Sequence, residues 1–357
     1  MLTPLYQAST TRSVLLLLPN SYSYLRPSLI TTTIVRDSCG ITRITRRPLS
    51  NIGMPLPSQN KTDLSTPPVT RIQPVMSPTS PLEKGPSAAI EPSATKGKPL
   101  SAIEGSKRLA AYTAVDKHVT PNHRVIGIGS GSTVPYVVER IVQQGTEANQ
   151  DRVFIPTGFQ SKELIVAAGL NLGDVDQYPT IDVTIDGADE VDSKLNCIKG
   201  GGACHLREKV LAEAATTFIL VADYRKNVEI LCTNFKPGVP IEVVPFAYAK
   251  VLQNLHHILG SPRATLRMAV AKAGPVVSDN GNFIIDAPFE RDQMSDPYPI
   301  MARIKMLTGV VEVGLFCHMA NAAYFGNEDG SVTMKRLGAG EGNLQEVIVE
   351  QLPASST

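Results

Sequence analysis

From about position 101 onward, apolar residues form short unbroken runs that alternate with segments of helical spacing. Unbroken apolar runs are typical of buried strands, whereas apolar positions three or four residues apart are typical of helices. The strands predicted in this way lie at 124–128, 153–155, 181–185 and 218–223. The helices predicted beside them lie at 106–115, 136–142, 164–168 and around 207–215. The alternation predicts an α/β fold with a doubly wound, mostly parallel, Rossmann-like sheet over 101–239.

The pattern changes at Pro240, after which the predicted elements are shorter. Residues 276–285 are predicted to form a hairpin that turns at Asn280-Gly281. The other elements are strands at 241–244, 265–271 and 310–316 and helices at 246–257 and 300–307. They predict a second, smaller α+β domain of the ferredoxin-like type over 240–323. A further hairpin at about 324–337 is expected to return to the first domain, and 338–357 is expected to be a tail.

The first hundred residues differ in composition from the rest. Residues 1–50 contain six arginines against one acid, Asp37, which is typical of an organelle transit peptide. Residues 51–100 contain ten of the chain's 27 prolines, which is typical of a disordered linker. We therefore expect 1–100 to be a disordered extension and the fold to begin near Ser101. An untargeted tail, or a true start at Met54 or Met76, are the alternatives.

Overall composition excludes several classes of protein. The net charge of +1 over 357 residues gives no electrostatic reason to expect a nucleic-acid or membrane-surface partner. The sequence contains no apolar run of the roughly 18 residues that a membrane span needs. The five cysteines form no CxxC pair, so neither a zinc ribbon nor a redox motif is indicated. An odd, scattered set of cysteines is typical of reduced thiols in an intracellular protein.

The strongest chemical signal lies just after the apolar run 181–185. Asp186 and Asp189 follow that predicted strand directly, and Lys199, a run of three glycines at 200–202 and Glu208 come soon after. The carboxyl ends of strands are where open α/β sheets bind ligands. Three successive glycines suit a backbone that passes close to a ligand or turns through positive φ. The stretch predicts a site for proton chemistry on a polar, anionic small molecule.

A glycine-rich turn at 127–133 forms a second candidate element. It joins a predicted strand to a predicted helix, and free backbone N–H groups, hydroxyls and a helix dipole at such a junction can bind a phosphate. Ser132 occupies the third glycine position of the dinucleotide fingerprint, and no Lys-Ser/Thr pair follows as in a P-loop. Simpler interpretations remain open for both elements, since a tight turn can bind nothing and acidic residues can cap turns or lie in solvent.

Five motifs occur in the order seen in the ribose-5-phosphate isomerases of type A, and the chain resembles the eukaryotic, fungal-type members. The motifs lie at 127–133, 186–190, 199–202, 207–209 and 221–223, and segments 240–245 and 277–282 extend the resemblance. It covers about residues 101–337. One departure is the segment 203–207, where relatives have a threonine and this chain has His205 and Leu206.

The resemblance implies interconversion of D-ribose 5-phosphate and D-ribulose 5-phosphate in the non-oxidative pentose phosphate pathway. It implies catalytic roles for Glu208, Asp186, Asp189 and Lys199. It implies that substrate is bound by Ser130, Gly131, Ser132, Thr133, Gly187, Ala188, Gly200, Gly201, Gly202 and Lys226. It also implies a cytoplasmic homodimer or homotetramer with no cofactor and no metal. The arginine-rich start leaves mitochondria as the alternative location.

The chemistry agrees with these residue types independently of the family. Moving a proton between C2 and C1 of a sugar needs one carboxylate base, such as Glu208, and donors for the enediolate oxygen, such as Lys199 and the backbone around Gly200. Asp186 and Asp189 can hold sugar hydroxyls or assist ring opening. Two other functions remain to be weighed: a sugar-phosphate-sensing regulatory module, and a coenzyme A transferase that uses a glutamate nucleophile.

Overall fold

The computed structural model describes residues 30–36, 42–48, 100–339 and 345–352, which fall in two compact units. The described part of the first unit, Met1–Ala89, is an antiparallel pair of strands, β1 (Ile30–Arg36) and β2 (Thr42–Pro48). β1 is rich in Ile, Thr and Val, whose branched side chains favour strands. The expectation of disorder over 1–100 does not hold for these two strands, and most of that range lies outside the described residues.

The second unit, Ile90–Thr357, contains the other described elements. Its strands are β3 (Val125–Ile128), β4 (Val153–Pro156), β5 (Ile181–Asp186), β6 (Glu190–Val191), β7 (Cys197–Ile198), β8 (Ala215–Asp223), β9 (Val239–Val243), β10 (Thr265–Leu266), β11 (Phe283–Ala287), β12 (Val310–Val313), β13 (Leu315–Phe316), β14 (Ala322–Gly326), β15 (Val332–Ala339) and β16 (Gln345–Leu352). Its helices are α1 (Ala102–His118), α2 (Val134–Gln143), α3 (Thr146–Asn149), α4 (Phe159–Ala167), α5 (His205–Ala214), α6 (Tyr248–His257), α7 (Arg291–Met294) and α8 (Pro297–Lys305). Within the described ranges, no helix is both long and apolar enough to span a membrane.

Seven strands form the main sheet, in the order β16-β15-β14-β8-β5-β3-β4. The five strands from β14 to β4 are parallel, and β15 and β16 add an antiparallel edge. After β3 the chain first adds β4 on one side and then β5 on the other. The order therefore reverses between β3 and β5, and this switch point is where open α/β sheets bind ligands. The Rossmann-like prediction is confirmed.

Helices and loops cover both faces of this sheet. Side chains alternate along β8: Ile219 and Val221 lie in the core under α1 and α2, whereas Phe218 and Leu220 lie in a second core. Ala212 of α5 belongs to that second core. Because each face of β8 packs against apolar residues, its sequence is a continuous apolar run rather than an alternating one.

Four antiparallel strands form a smaller sheet, in the order β10-β11-β9-β12. Along the chain they alternate with helices as β9-α6-β10-β11-α8-β12, which is the ferredoxin-like arrangement. The helices contribute Val251, Leu255, Ile300 and Ile304 to the core beneath this sheet. The ferredoxin-like prediction is thus confirmed. Because all of Ile90–Thr357 clusters as one unit, the boundaries at 239/240 and 323/324 stay predictions.

The predicted strand 310–316 is divided between two sheets at Gly314. The residues before it form β12 of the ferredoxin-like sheet, and those after it form β13, which pairs with β7 beside the main sheet. Gly314 donates its N–H to Pro240 O and accepts from the N–H of Lys199, at 2.7 and 2.9 Å. A Cβ at Gly314 would overlap Lys199 O, so the crossing requires glycine.

The segment 338–357, expected as a tail, contains strand β16. It pairs with β15 from Val332–Leu352 to Ala339–Gln345. Val347 and Leu352 are partly buried against the cores on the two faces of the sheet. The expectation of a tail is therefore wrong for 345–352, because this stretch extends the main sheet.

Gly326→Ala should destabilise the fold, because a Cβ at Gly326 in β14 would overlap the main-chain carbonyl of Ser106 in α1. Overpacking of this kind lowers the free energy of unfolding by about 1–3 kcal/mol. Gly105 is the matched control, since it lies in α1 with open space at the Cβ position, and Gly105→Ala should raise stability by about 0.5–1 kcal/mol. Urea unfolding midpoints distinguish the two. A Gly326→Ala midpoint at or above wild type would contradict the packing of β14 on α1.

Candidate active site

A buried lysine lies at the centre of the site. Lys199 is 2% exposed. Its ammonium lies 2.5 Å from Gly187 O, 2.9 Å from Asp186 Oδ2 and 3.2 Å from Glu208 Oε1. Lys199 follows β7, Asp186 ends β5, and Glu208 lies in the first turn of α5. Three residues predicted to be catalytic therefore meet at one ammonium group, at the carboxyl edge of the main sheet.

Asp186 is fully buried beneath the glycine-rich turn. Its Oδ1 accepts the N–H groups of Ser130, at 2.9 Å, and Gly187, at 2.7 Å. A Cβ at Gly129 would overlap this carboxylate, so glycine is required there. Asp186 does not line the cleft described below, which differs from the expectation that it contacts a sugar hydroxyl. It instead joins the turn 129–131 to Lys199.

The two carboxylate oxygens of Glu208 have different surroundings. Oε1 accepts a hydrogen bond from Ser130 Oγ at 2.5 Å and lies beside Lys199. Oε2 is buried and has no hydrogen-bond partner within the described part of the chain. Burial, together with the charge of Asp186, raises the pKa of Glu208 to about 7, while Lys199 and the Ser130 hydroxyl oppose the rise. One oxygen is therefore fixed, and the other can exchange a proton near neutral pH.

Lys199 stays charged although it is buried. Burial alone lowers the pKa of an ammonium, but the charges of Asp186 and Glu208 raise the pKa of Lys199 above its ordinary value. Burial also raises the pKa of Asp189, the fourth residue predicted to be catalytic. Asp189 Oδ2 accepts the N–H of Gly201 at 2.7 Å, which ties the glycine run to the end of β5.

Two glycines of the run, Gly200 and Gly201, have little room for side chains. Gly200 has a φ of +105°, and a Cβ there would lie 2.6 Å from Nδ1 of His205, which is fully buried beneath it. Arg267, just after β10, donates from Nη1 to Gly200 O at 2.9 Å and Gly201 O at 3.0 Å. Its other nitrogens bind Asp286 at 2.9 and 2.5 Å. Arg267 is a supporting residue that the sequence analysis missed, because no local motif marks it.

These groups surround a cleft of about 340 Å³. All the predicted site residues except Asp186 line it. The sequence analysis missed six further lining residues: Phe159, Gln160, Cys204, Ala222, Asp223 and Asp279. Phe159 and Gln160 follow β4, so the rule that placed Asp186 at a strand end would have found them too. Asp279 lies in the segment 277–282, which the resemblance included without giving it a role.

The thiol of Cys204 is poorly suited to nucleophilic chemistry. Burial, together with the charges of Glu208 and Asp279, raises the pKa of Cys204 to about 12. The thiol donates to Gly202 O at 3.2 Å. Cys204 therefore remains a protonated lining residue at neutral pH. Among the described residues, no group of three or more His, Cys, Asp or Glu side chains is arranged to hold a metal ion.

At the glycine-rich turn, Gly131 has a φ of +103° and donates its N–H to Gln160 Oε1 at 2.8 Å. Ser132 is exposed and Thr133 is buried at the start of α2. Lys226, in the single turn Tyr224–Lys226 after β8, brings a cation to the same cleft. The cleft thus combines a proton-transfer pair with hydroxyls and a lysine suited to an anion.

Comparison with known proteins agrees with this arrangement. Residues 153–330 match the family model of ribose 5-phosphate isomerase A (phosphoriboisomerase A). A ribose-5-phosphate isomerase of Cryptococcus neoformans var. neoformans serotype D is 71% identical over 243 residues, which are 66% of this chain and 80% of the relative. One from Mycosarcoma maydis is 65% identical over 260 residues, which are 72% of this chain and 90% of the relative.

Solved structures agree as well. Ribose 5-phosphate isomerase from Plasmodium falciparum is 35% identical, with a TM-score of 0.59, over 66% of this chain and 99% of that one. A D-ribose-5-phosphate isomerase in complex with phospho-erythronic acid is 38% identical, with a TM-score of 0.60, over 66% and 99% of the two chains. Sequence, fold and the cleft point to the same conclusion: the chain belongs to the ribose 5-phosphate isomerase A family.

Proposed function

We propose that Glu208 is the proton-transferring base of this isomerase, which interconverts D-ribose 5-phosphate and D-ribulose 5-phosphate. The observation that carries the proposal is the buried carboxylate whose Oε1 is fixed by Ser130 and whose Oε2 is unpartnered within the described residues. The sensing module and the coenzyme A transferase, left open by the sequence, are not favoured by the relatives. A sensor would also have no use for a carboxylate poised to exchange a proton.

The reaction needs one proton carrier. Oε2 of Glu208 takes the proton from C2 of the open-chain aldose, and the C2–H electron pair forms the C1–C2 double bond while the carbonyl pair moves to O1. The protonated Glu208 then returns the proton to C1 as the C2–O2 carbonyl forms and the O2 proton passes to O1. Substrate and product therefore have the same atoms, and a base of this kind contributes about 10²–10⁴ in rate.

Lys199 acts through its charge. Lys199 donates to Gly187 O and forms ion pairs with Asp186 and Glu208. Its fixed positive charge in a buried site lowers the energy of the enediolate. The N–H groups of Gly200 and Gly202, which have no hydrogen-bond partner within the described residues, are the direct donors that we propose for the enediolate oxygen.

We place the 5-phosphate at the hydroxyls of Ser132 and Thr133 and the ammonium of Lys226, with Asp189 and the backbone of Gly187 and Ala188 along the sugar. Ser130 belongs to the same turn, but its hydroxyl donates to Glu208, so we assign it to the base. Support comes from the relative that binds phospho-erythronic acid, a phosphorylated ligand. We also propose, as the sequence led us to expect, that the protein works without cofactor in the cytoplasm as a homodimer or homotetramer.

Glu208→Gln should lower kcat at least about 100-fold and change KM less than about threefold, because it removes the base and keeps the shape of the side chain. Steady-state kinetics with ribose 5-phosphate measure both constants. Glu213→Gln is the matched control, since Glu213 is an exposed residue of the same helix. Near-normal turnover of the Glu208 variant would remove this residue from the mechanism.

The profile of kcat/KM against pH should have an acidic limb whose position depends on the charge of Asp186. Since burial raises the pKa of Glu208 to about 7, kcat/KM should fall as pH drops below that value and the base becomes protonated. Asp186→Asn removes a negative charge that raises this pKa, so the limb should move to lower pH. The substrate phosphate, with a second pKa of about 6, titrates equally in both proteins. An unmoved limb in Asp186→Asn would assign it to the substrate instead of Glu208.

Lys226→Ala should raise KM for ribose 5-phosphate about tenfold or more, because it removes the cation nearest to the proposed phosphate position. Ribose without phosphate should be a very poor substrate, since remote binding energy positions the reacting carbons. Lys250→Ala, at an exposed lysine of α6, is the control. Equal kcat/KM for ribose and its 5-phosphate would refute the assignment.

A further inference from the structure

Helix α4 begins at the mouth of the cleft and is capped by a residue from far along the chain. Its N-cap position is Gly158, which has no side chain to accept the first N–H groups. Asp279, in the turn before β11, takes that role: its Oδ2 accepts the N–H of Phe159 at 3.1 Å. A Cβ on Gly158 would lie 3.2 Å from this oxygen and 3.0 Å from Cys204 Sγ. Glycine thus leaves room for the distant carboxylate.

A buried carboxylate fixes the turn that carries Asp279. Glu242, on β9, is fully buried, and its Oε1 accepts from Ser278 Oγ at 2.7 Å, Asn280 Nδ2 at 3.0 Å and Asn282 Nδ2 at 2.9 Å. The Ser278 N–H donates to Asn282 O at 2.8 Å and closes the turn. The residues on both sides of Asp279 are therefore anchored to the ferredoxin-like sheet.

Helix α4 in turn holds the glycine-rich turn. Gln160, next to the capped Phe159, accepts the N–H of Gly131 through Oε1 at 2.8 Å and donates from Nε2 to Gly131 O at 3.4 Å. Gln160 is exposed, so these two hydrogen bonds and the start of α4 decide where its amide lies. Hydrogen bonds and two peptide links, one beside Asp279 and one between Phe159 and Gln160, thus join Glu242 to Gly131.

We propose that Asp279 is a positioning residue for the turn 131–133, acting through Phe159 and Gln160. The inference rests on the proposed binding of the 5-phosphate at that turn. Without Asp279, the Phe159 N–H loses its acceptor, and only the side-chain hydrogen bonds between Ser161 and Gly158 still cap the start of α4. Gly131 then has a less fixed partner, so substrate must order the turn when it binds. That cost falls equally on the bound substrate and the transition state, and it therefore raises KM and leaves kcat unchanged.

Substitution of Asp279 should not move Ser130 or Glu208. Ser130, the residue before Gly131, is held separately, because its N–H donates to Asp186 Oδ1 and its hydroxyl donates to Glu208. Loosening Gly131 therefore leaves Glu208 oriented.

Asp279 also lines the cleft. The competing role is therefore direct contact with substrate, which would depend on the negative charge of Asp279. Asparagine separates the two roles, because its Oδ1 can still accept the Phe159 N–H although the charge is lost.

The test compares Asp279→Ala, Asp279→Asn and Gln160→Ala by steady-state kinetics. We expect Asp279→Ala and Gln160→Ala each to raise KM for ribose 5-phosphate about tenfold with kcat within about threefold of wild type. Asp279→Asn should stay within about threefold in both constants. The double variant Asp279→Ala/Gln160→Ala should be no worse than the worse single variant, because both act through Gly131. Glu290→Ala, at an exposed carboxylate of the ferredoxin-like part, is the control.

Several outcomes would overturn the proposal: additive effects in the double variant, an unchanged KM in Asp279→Ala, or a kcat loss in Asp279→Asn equal to that in Asp279→Ala.

If Asp279→Ala does not fold, Phe159→Pro replaces it, since proline is tolerated at the first helical position and removes the N–H that Asp279 accepts. Phe159→Ala then controls for the lost ring. If Lys226→Ala leaves KM unchanged, the phosphate assignment fails; if Lys226→Ala alone raises KM, only the role of Asp279 fails.

Discussion

The site depends on two buried carboxylates that share one ammonium. Lys199 lies between Asp186 and Glu208, and all three residues are at most 3% exposed. One positive charge cannot fully compensate two negative ones, so the group carries a buried excess of negative charge when both acids are ionised. Asp186 Oδ1 accepts two backbone N–H groups, whereas Glu208 Oε1 accepts one hydroxyl. Burial, together with the charge of Asp186, raises the pKa of Glu208 toward neutrality.

Such a group is costly to bury, and stability alone does not account for it. Removing one partner from a buried ion pair typically destabilises a protein by about 3–5 kcal/mol, whereas well-packed apolar replacements are often neutral. Several features of the backbone therefore hold the charged side chains in place. Gly129 and Gly201 lack side chains where Asp186 and Asp189 approach. Gly314 accepts the Lys199 N–H at the point where the chain crosses from the ferredoxin-like sheet toward the main sheet.

Local patterns in the sequence predicted the strands, the switch-point edge and most of the cleft. The run 181–185 placed Asp189 at a strand end where ligands bind, and the nearby lysine and glycine run placed Lys199 in the same site. What local patterns could not supply is contact between distant segments. Arg267 reaches Gly200, and Asp279 reaches Phe159, across long stretches of chain. The burial of Asp186 was also hidden, since a carboxylate at a strand end has the same local signature whether it faces a ligand or the backbone. Strand β16 was missed because the glycines at 338–342 resemble the end of a domain.

The turn 130–133 contacts both the proposed base and the proposed phosphate position, and the division lies at the peptide bond between Ser130 and Gly131. Ser130 is fixed to Asp186 and Glu208 and belongs to the chemistry, whereas Gly131 is held only by the exposed Gln160 in the described part of the chain. The positive φ of Gly131 lets the backbone change direction between these two partners. Two neighbouring residues are therefore held by different partners. In the function proposed above, contacts at the phosphate end of the turn do not displace the oxygen that takes the proton, which keeps phosphate recognition and proton transfer mechanically separate within four residues.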